Sequence, residues 1–159
     1  MISIVIPTFN EVKNIIPLLK TLINIVSDFK YEIIVVDDDS PDGTSQEIVK
    51  FMKDNKKVKL ITRVGRSGLS SAIKEGLIFA QGEYLIVLDG DGQHDTSFVL
   101  NMIDKIMNSQ YDLVIASRFL DSSNLQGLSD KRTLGSKAKA LEIQPGSKKA
   151  APGENLELL

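Results

Sequence analysis

Five short apolar runs recur along the chain at nearly constant intervals. They are Ile2–Ile6, Glu32–Val36, Val58–Thr62, Tyr84–Leu88 and Leu113–Ser117, and their starts lie 26 to 30 residues apart. Runs that are apolar on both faces read as buried strands of a mostly parallel sheet. Between them the apolar spacing changes to that of helices. Ile15, Leu18, Leu19, Leu22, Ile23 and Val26 form one stripe. Leu69, Ala72, Ile73, Gly76, Leu77 and Ala80 form a second, and Phe98, Val99, Met102, Ile103, Ile106 and Met107 a third. A weaker helix is predicted over Ser45 to Met52. Strand and helix alternating at this spacing predict a βαβαβαβαβ order, a doubly wound three-layer α/β domain. A chain of 159 residues suffices for one such domain and not for two.

The regularity stops near Leu120. No aromatic residue follows Phe119, and Ser136 to Leu159 contain four lysines, three glutamates, two Pro-Gly pairs and no valine. The chain therefore divides into a 1–120 domain, an incomplete 121–135 segment, and a 136–159 tail read as flexible or non-native. No basic leader precedes the first strand, and no apolar run approaches the roughly 20 residues of a membrane span. The expected location is cytoplasmic, with at most peripheral contact at the cytoplasmic face of a membrane.

In an open parallel sheet, ligands bind beyond the carboxyl ends of the strands. Each unusual cluster of this chain falls just there. Pro7-Thr8-Phe9-Asn10-Glu11 follows the first strand and Asp37-Asp38-Asp39-Ser40-Pro41-Asp42-Gly43 the second. Arg63-Val64-Gly65-Arg66-Ser67-Gly68 follows the third and Asp89-Gly90-Asp91-Gly92-Gln93-His94-Asp95 the fourth, and Ser117-Arg118 ends the fifth. The chain has no cysteine and one histidine, which excludes thiolate chemistry and multi-histidine metal sites. A net charge of −2 gives no electrostatic case for nucleic acid.

Asp89-Gly90-Asp91 is the most informative cluster. A buried strand delivers two carboxylates to one loop, and i, i+2 side chains of an extended segment share a face. They repel unless a cation lies between them. Hard Mg²⁺ or Mn²⁺ takes oxygen ligands and keeps phosphate oxygens in its shell. Gln93 offers a third oxygen at the next step. The competing reading is an Asp-Gly turn with solvated acids. Likewise the Asp37–Asp39 triplet either receives hydrogen bonds from a nucleotide or ends a strand, with Asp42 or Thr44 capping the next helix. Thr8-x-x-Glu11 fits a capping box. Arg63 and Arg66 flank glycines before a helix, where cations and free N–H groups suit a diphosphate; the competing reading, preferred for Arg66, is solvated loop arginines. Arg118 sits at a strand end where it could contact phosphate or pair with a carboxylate, and His94 reads as a loop histidine. A dinucleotide fingerprint and a P-loop are absent. A receiver domain would need an acceptor aspartate and a lysine where Arg63 and Arg118 stand.

The motifs after the first, second, fourth and fifth strands, with Gly68-Leu69-Ser70-Ser71-Ala72, resemble the family-2 glycosyltransferases, above all the dolichyl- and polyprenyl-phosphate mannosyltransferases and their glucosyl relatives. The resemblance implies a GT-A (Rossmann-like) fold. It implies that Pro7, Phe9, Glu11, Val36, Asp37 and Asp38 line the nucleoside pocket. It also implies that Arg63, Asp89, Gly90, Asp91, Gln93 and Arg118 handle the metal, diphosphate and sugar. Asp89, Asp91 and Gln93 are then the metal ligands, and Asp89, Asp91 and Arg118 the catalytic residues. Phe9 stands where the family often has tyrosine, Gly90 and Gly92 replace bulkier residues, and the likeness fades after Arg132.

The implied activity is metal-dependent, inverting transfer of a hexose, mannose favoured, from GDP-mannose or a UDP-hexose to a polyprenyl (dolichyl) phosphate. A phosphate acceptor is already anionic near neutral pH, so no protein base is assigned. The alternatives are a non-catalytic nucleotide-sugar-binding remnant and, after it, a transferase acting on a sugar or polysaccharide.

Overall fold

The computed structural model describes residues 1–92, 96–108 and 111–114. Four strands, β1 (Ile2–Thr8), β2 (Tyr31–Asp37), β3 (Val58–Thr62) and β4 (Tyr84–Val87), alternate with helices α1 (Ile15–Ile25), α2 (Thr44–Met52), α3 (Leu69–Phe79) and α4 (Phe98–Asn108). The strands form one parallel sheet in the order β3-β2-β1-β4. The α/β reading therefore holds, and each of these elements lies within about two residues of its expected position. Of the predicted fifth strand only Leu113 and Val114 are described, outside any strand. Arg118 and the 121–159 segments lie outside the described residues. The chain falls into two compact units, Met1–Leu100 and Asn101–Leu159. The sheet and every site residue described below belong to the first. Of the second, the structure describes the later turns of α4, where Asn108 Nδ2 donates to Asp104 (2.7 Å), and residues 111–114.

The strand order follows from chirality. Right-handed crossovers from β1 to β2 to β3 place α1 and α2 on one face. The reversal from β3 back across to β4 places α3 on the other. Val5, Ile34, Val36 and Ala72 form the buried cluster under α3, with Ile61, Leu77 and Ala80 at its margin. Ile2, Ile4, Ile6, Ile33 and Val35 alternate with these and are fully buried on the α1–α2 face. Gly76 lets α3 approach closely, because a Cβ there would collide with Val5 and press on Val36.

One residue sets where the sheet opens. The β1–β4 ladder ends as the Leu88 N–H donates to the Val5 carbonyl (3.1 Å). The next rung on that side would use the N–H of residue 7, and proline has none. On its other side β1 continues, and the Asp38 N–H donates to the Thr8 carbonyl (3.0 Å). So the β1–β4 hydrogen-bond ladder stops at Pro7, between the strands whose helices lie on opposite faces. That is the switch-point crevice of a doubly wound sheet.

Candidate functional site

The loop after β1 is held by side chains from the β2–α2 segment. Asn10 and Asp39 adopt left-handed backbone (φ 61° and 55°), a conformation that Asn and Asp tolerate best among non-glycine residues. Three successive N–H groups after β1 are then captured. Asn10 donates to Ser40 Oγ (2.9 Å), Glu11 to Thr44 Oγ1 (3.0 Å) and Val12 to Asp42 Oδ2 (3.1 Å). Asp42 also accepts the Thr44 N–H (3.0 Å) and hydroxyl (2.6 Å), but from one residue outside the cap: the N-cap of α2 is Gly43, and neither Asp42 nor Thr44 takes the expected N-cap position. Burial works against its charge, but these hydrogen bonds outweigh it and hold its carboxyl below the ordinary range. The expected capping box is not present. Thr8 lies inside β1, its hydroxyl 3.0 Å from Asp37 Oδ1, and α1 starts six residues later than that box requires. The Glu11 carbonyl accepts the Asn14 and Ile15 N–H groups, and its carboxylate accepts Asn14 Nδ2 (2.7 Å).

A cavity of about 250 Å³ opens on the α3 side of the crevice. Pro7, Thr8, Phe9, Asp38, Ser67, Gly68, Leu69 and Ala72 line it. Phe9 and Leu69 remain 56% and 59% exposed, so two large apolar groups sit uncovered at its walls. Leu69, expected in the core stripe of α3, is instead a wall residue. It and Ser67 could have been found by noting that a helix starting at a strand end presents its first turn to the ligand edge.

The predicted residues divide between wall and support. Pro7, Phe9 and Asp38 meet at the cavity. Val36 is fully buried beneath α3, and Asp37 is fully buried on the opposite face. Asp37 accepts hydrogen bonds from Thr8 Oγ1 (3.0 Å), Ser40 Oγ (2.6 Å), the Ser40 N–H (3.0 Å) and Ser45 Oγ (2.7 Å). Arg63 is 1% exposed. Its Nε and Nη2 each lie 2.6 Å from Asp38 Oδ1, Nη1 donates to Ser71 Oγ (2.7 Å), and Nη2 reaches the Gly68 carbonyl (3.0 Å). Asp38 Oδ2 accepts the Gly68 N–H (2.8 Å). Burial opposes the charge on Asp38, but Arg63 and the Gly68 N–H overcome it and keep the carboxyl below its usual range. Asp38 in turn raises the Arg63 guanidinium. The cavity wall thus carries an ionised carboxylate, able only to accept hydrogen bonds. Arg66 is exposed and pairs with Glu75 (3.1 Å).

The Asp89–Asp91 loop rests on the end of β1. Gly90 is buried, and a Cβ there would lie 2.6 Å from Thr8 Cγ2 and 3.1 Å from the Pro7 carbonyl, so only glycine permits this contact without displacement. Asp89 is exposed and Asp91 half-buried. Asp91 lines a second cavity, of about 270 Å³, on the α1 side, with Gly92, Thr96, Lys13, Asn14, Pro17, Leu18 and Thr21. Sequence reasoning passed over Lys13 because it follows the strand-end motif rather than belonging to it. Among the described residues no three His, Cys, Asp or Glu side chains gather as a metal cage. Asp89 and Asp91 are two carboxylates on one glycine-tight loop, oxygen donors of the kind that hard Mg²⁺ or Mn²⁺ takes. Gln93, His94 and Arg118 lie outside the described residues. No helix among the described residues is long and apolar enough to cross a membrane.

Comparison with known proteins gives a consistent picture. The model of glycosyl transferase family 2 matches residues 3–149, past Arg132 and into the segment read as a tail. The chain is 36% identical over 136 residues to the dolichol-phosphate mannosyltransferase of Pyrococcus furiosus, covering 86% of this chain and 38% of that protein. It is 33% identical over 114 residues to the dolichol-phosphate mannosyltransferase of Saccharomyces cerevisiae, covering 70% and 43%. The fold matches that of mannosyltransferase PcManGT from Pyrobaculum calidifontis, solved in complex with GDP-Man and Mn²⁺. The TM-score is 0.57 at 24% identity, over 69% of this chain and 33% of that one. The chain therefore spans about two fifths of the length of these curated relatives.

Proposed function

The chain belongs to glycosyl transferase family 2, and we propose that it binds a nucleotide-sugar donor and transfers the hexose, mannose favoured, to a polyprenyl (dolichyl) phosphate. The observation that carries this reading is the switch-point crevice. An apolar cavity with one ionised carboxylate lies on one side of it, and a two-carboxylate loop is seated on the end of β1. The names of the relatives support mannose and the lipid phosphate.

On this reading Phe9 and Leu69 take the faces of the base, and Asp38 accepts an N–H or hydroxyl from the nucleoside. Arg63 acts through Asp38 and Gly68, fixing the wall rather than reaching the phosphates. Asp89 and Asp91, with Gln93, hold the divalent ion, which when bound neutralises the diphosphate leaving group. The acceptor's phosphate oxygen forms a new bond to the anomeric carbon with inversion, the bond from that carbon to the diphosphate oxygen breaks, and the nucleoside diphosphate departs. The acceptor oxygen is already anionic, so no residue is assigned as base.

Calorimetric titration with GDP-mannose and UDP-glucose, with and without Mn²⁺, tests the donor site. Metal-dependent binding of one of them is expected. Binding of neither by a folded chain overturns the reading. The second reading is donor binding without transfer. Incubation with labelled donor and a polyprenyl phosphate separates the two: labelled lipid supports the transferase, and its absence alongside donor binding supports the second reading.

A further inference from the structure

The second cavity differs from the first in charge. Of the residues lining the two, Lys13 alone is cationic. The two arginines at this edge of the described sheet are already engaged, Arg63 buried against Asp38 and Arg66 on Glu75. Lys13 is exposed and joins no ion pair among the described residues. It shares its cavity with Asp91, on the far side of the crevice from the nucleoside cavity. The cavity also presents the hydroxyls of Thr21 and Thr96 and the Asn14 amide. Of these, the Thr21 hydroxyl donates to the Pro17 carbonyl (3.1 Å) and the Asn14 amide to Glu11.

We infer that this cavity is a phosphate subsite in which Lys13 is the cationic contact. A lysine ammonium is a compact point charge with three donors, suited to a phosphate group. Asp91 on the same wall repels an anion, and Lys13 offsets that charge. The remaining compensation rests on the proposed role of the Asp89–Asp91 loop as a metal holder. Two sources present the same chemistry: the diphosphate of the donor and the phosphate monoester of the acceptor.

The test compares the wild-type chain with Lys13→Ala and Lys13→Arg, each checked for folding by circular dichroism. Titrations in Mn²⁺ use GDP and guanosine, UDP and uridine, and farnesyl phosphate and farnesol. For a donor subsite, Lys13→Ala weakens the nucleoside diphosphate roughly tenfold, leaves the nucleoside unchanged, and Lys13→Arg restores most of the loss. For an acceptor subsite, the same loss falls on farnesyl phosphate and spares farnesol. Unchanged affinity of Lys13→Ala for every phosphate overturns the inference while leaving the donor reading in place. Failure of the wild type to bind any nucleoside or nucleotide overturns the donor reading, and the farnesyl phosphate arm then decides the subsite by itself.

Discussion

Asp37 and Asp38 are adjacent carboxylates that the pleat sends in opposite directions. Asp37 shares the Thr8 face and is consumed by hydroxyls and the Ser40 N–H, while Asp38 turns to the cavity wall and Arg63. Period-two alternation fixes that the two diverge. Which of them faces the ligand depends on the side α3 occupies, and that handedness is a property of the crossovers rather than of the local sequence. Pro7, Phe9 and Asp38 could therefore be picked out as strand-end residues, but the supporting role of Arg63 could not, since its burial depends on partners from three segments. Phe9 gives the sharpest residue-level prediction. Its ring is more than half exposed and carries little of the core. Phe9→Ala should weaken nucleotide-sugar binding by roughly 1–3 kcal/mol, the scale of base–aromatic stacking, while the thermal midpoint stays within a degree or two. Calorimetry beside a melting curve checks both halves, and a collapsed melting point with intact binding would contradict the assignment.

The elements themselves were legible because each carries its period openly. Strands β1 and β2 are apolar on both faces and are buried at every position. The outer strands are less covered, as in Leu85 and Val87 of β4, which their apolar composition alone does not reveal. The misread boundary, a capping box at Thr8, arose because a strand-end threonine and a helix cap look alike until the strand length is known. Helix α3 offers the element-scale prediction. Gly76 sits where a methyl group would strike Val5 and crowd Val36, so Gly76→Ala forces α3 away from the sheet. Despite the better helix propensity of alanine, overpacking should cost about 1–3 kcal/mol, read as a lower midpoint in urea. A midpoint equal to or above wild type would show that α3 is not seated as described.

Across the whole sheet, the end opposite the crevice is tied by a second polar cluster. Glu32 is buried and accepts from Ser3 Oγ (2.6 Å), Lys59 Nζ (2.6 Å) and the Gln81 N–H (2.7 Å), while Gly82 donates to Ser3 Oγ (2.8 Å). The cluster joins β1, β2, β3 and the approach to β4. Burial pushes the Glu32 carboxyl upward, but Lys59, Ser3 and the Gln81 N–H outweigh it and hold it below the ordinary value, as Arg63 does for Asp38. Carboxyls depressed in this way contribute stability above the ordinary carboxylate range. They lose it as pH falls below about 4 through the lowered native values. Urea unfolding at pH 7 and pH 3 should show a marked acid loss, shallower in Glu32→Gln, and identical pH slopes would exclude this linkage. The opposite end behaves differently for a reason found in one residue. At Pro7 the amide hydrogen that would add the next β1–β4 rung does not exist, so the ladder stops there and the Asp89–Asp91 loop meets β1 by packing, Gly90 against Thr8 and the Pro7 carbonyl. The seat of the two-carboxylate loop on the sheet is therefore a fit of surfaces, set by the missing Cβ of Gly90, and not an extension of the hydrogen-bond ladder.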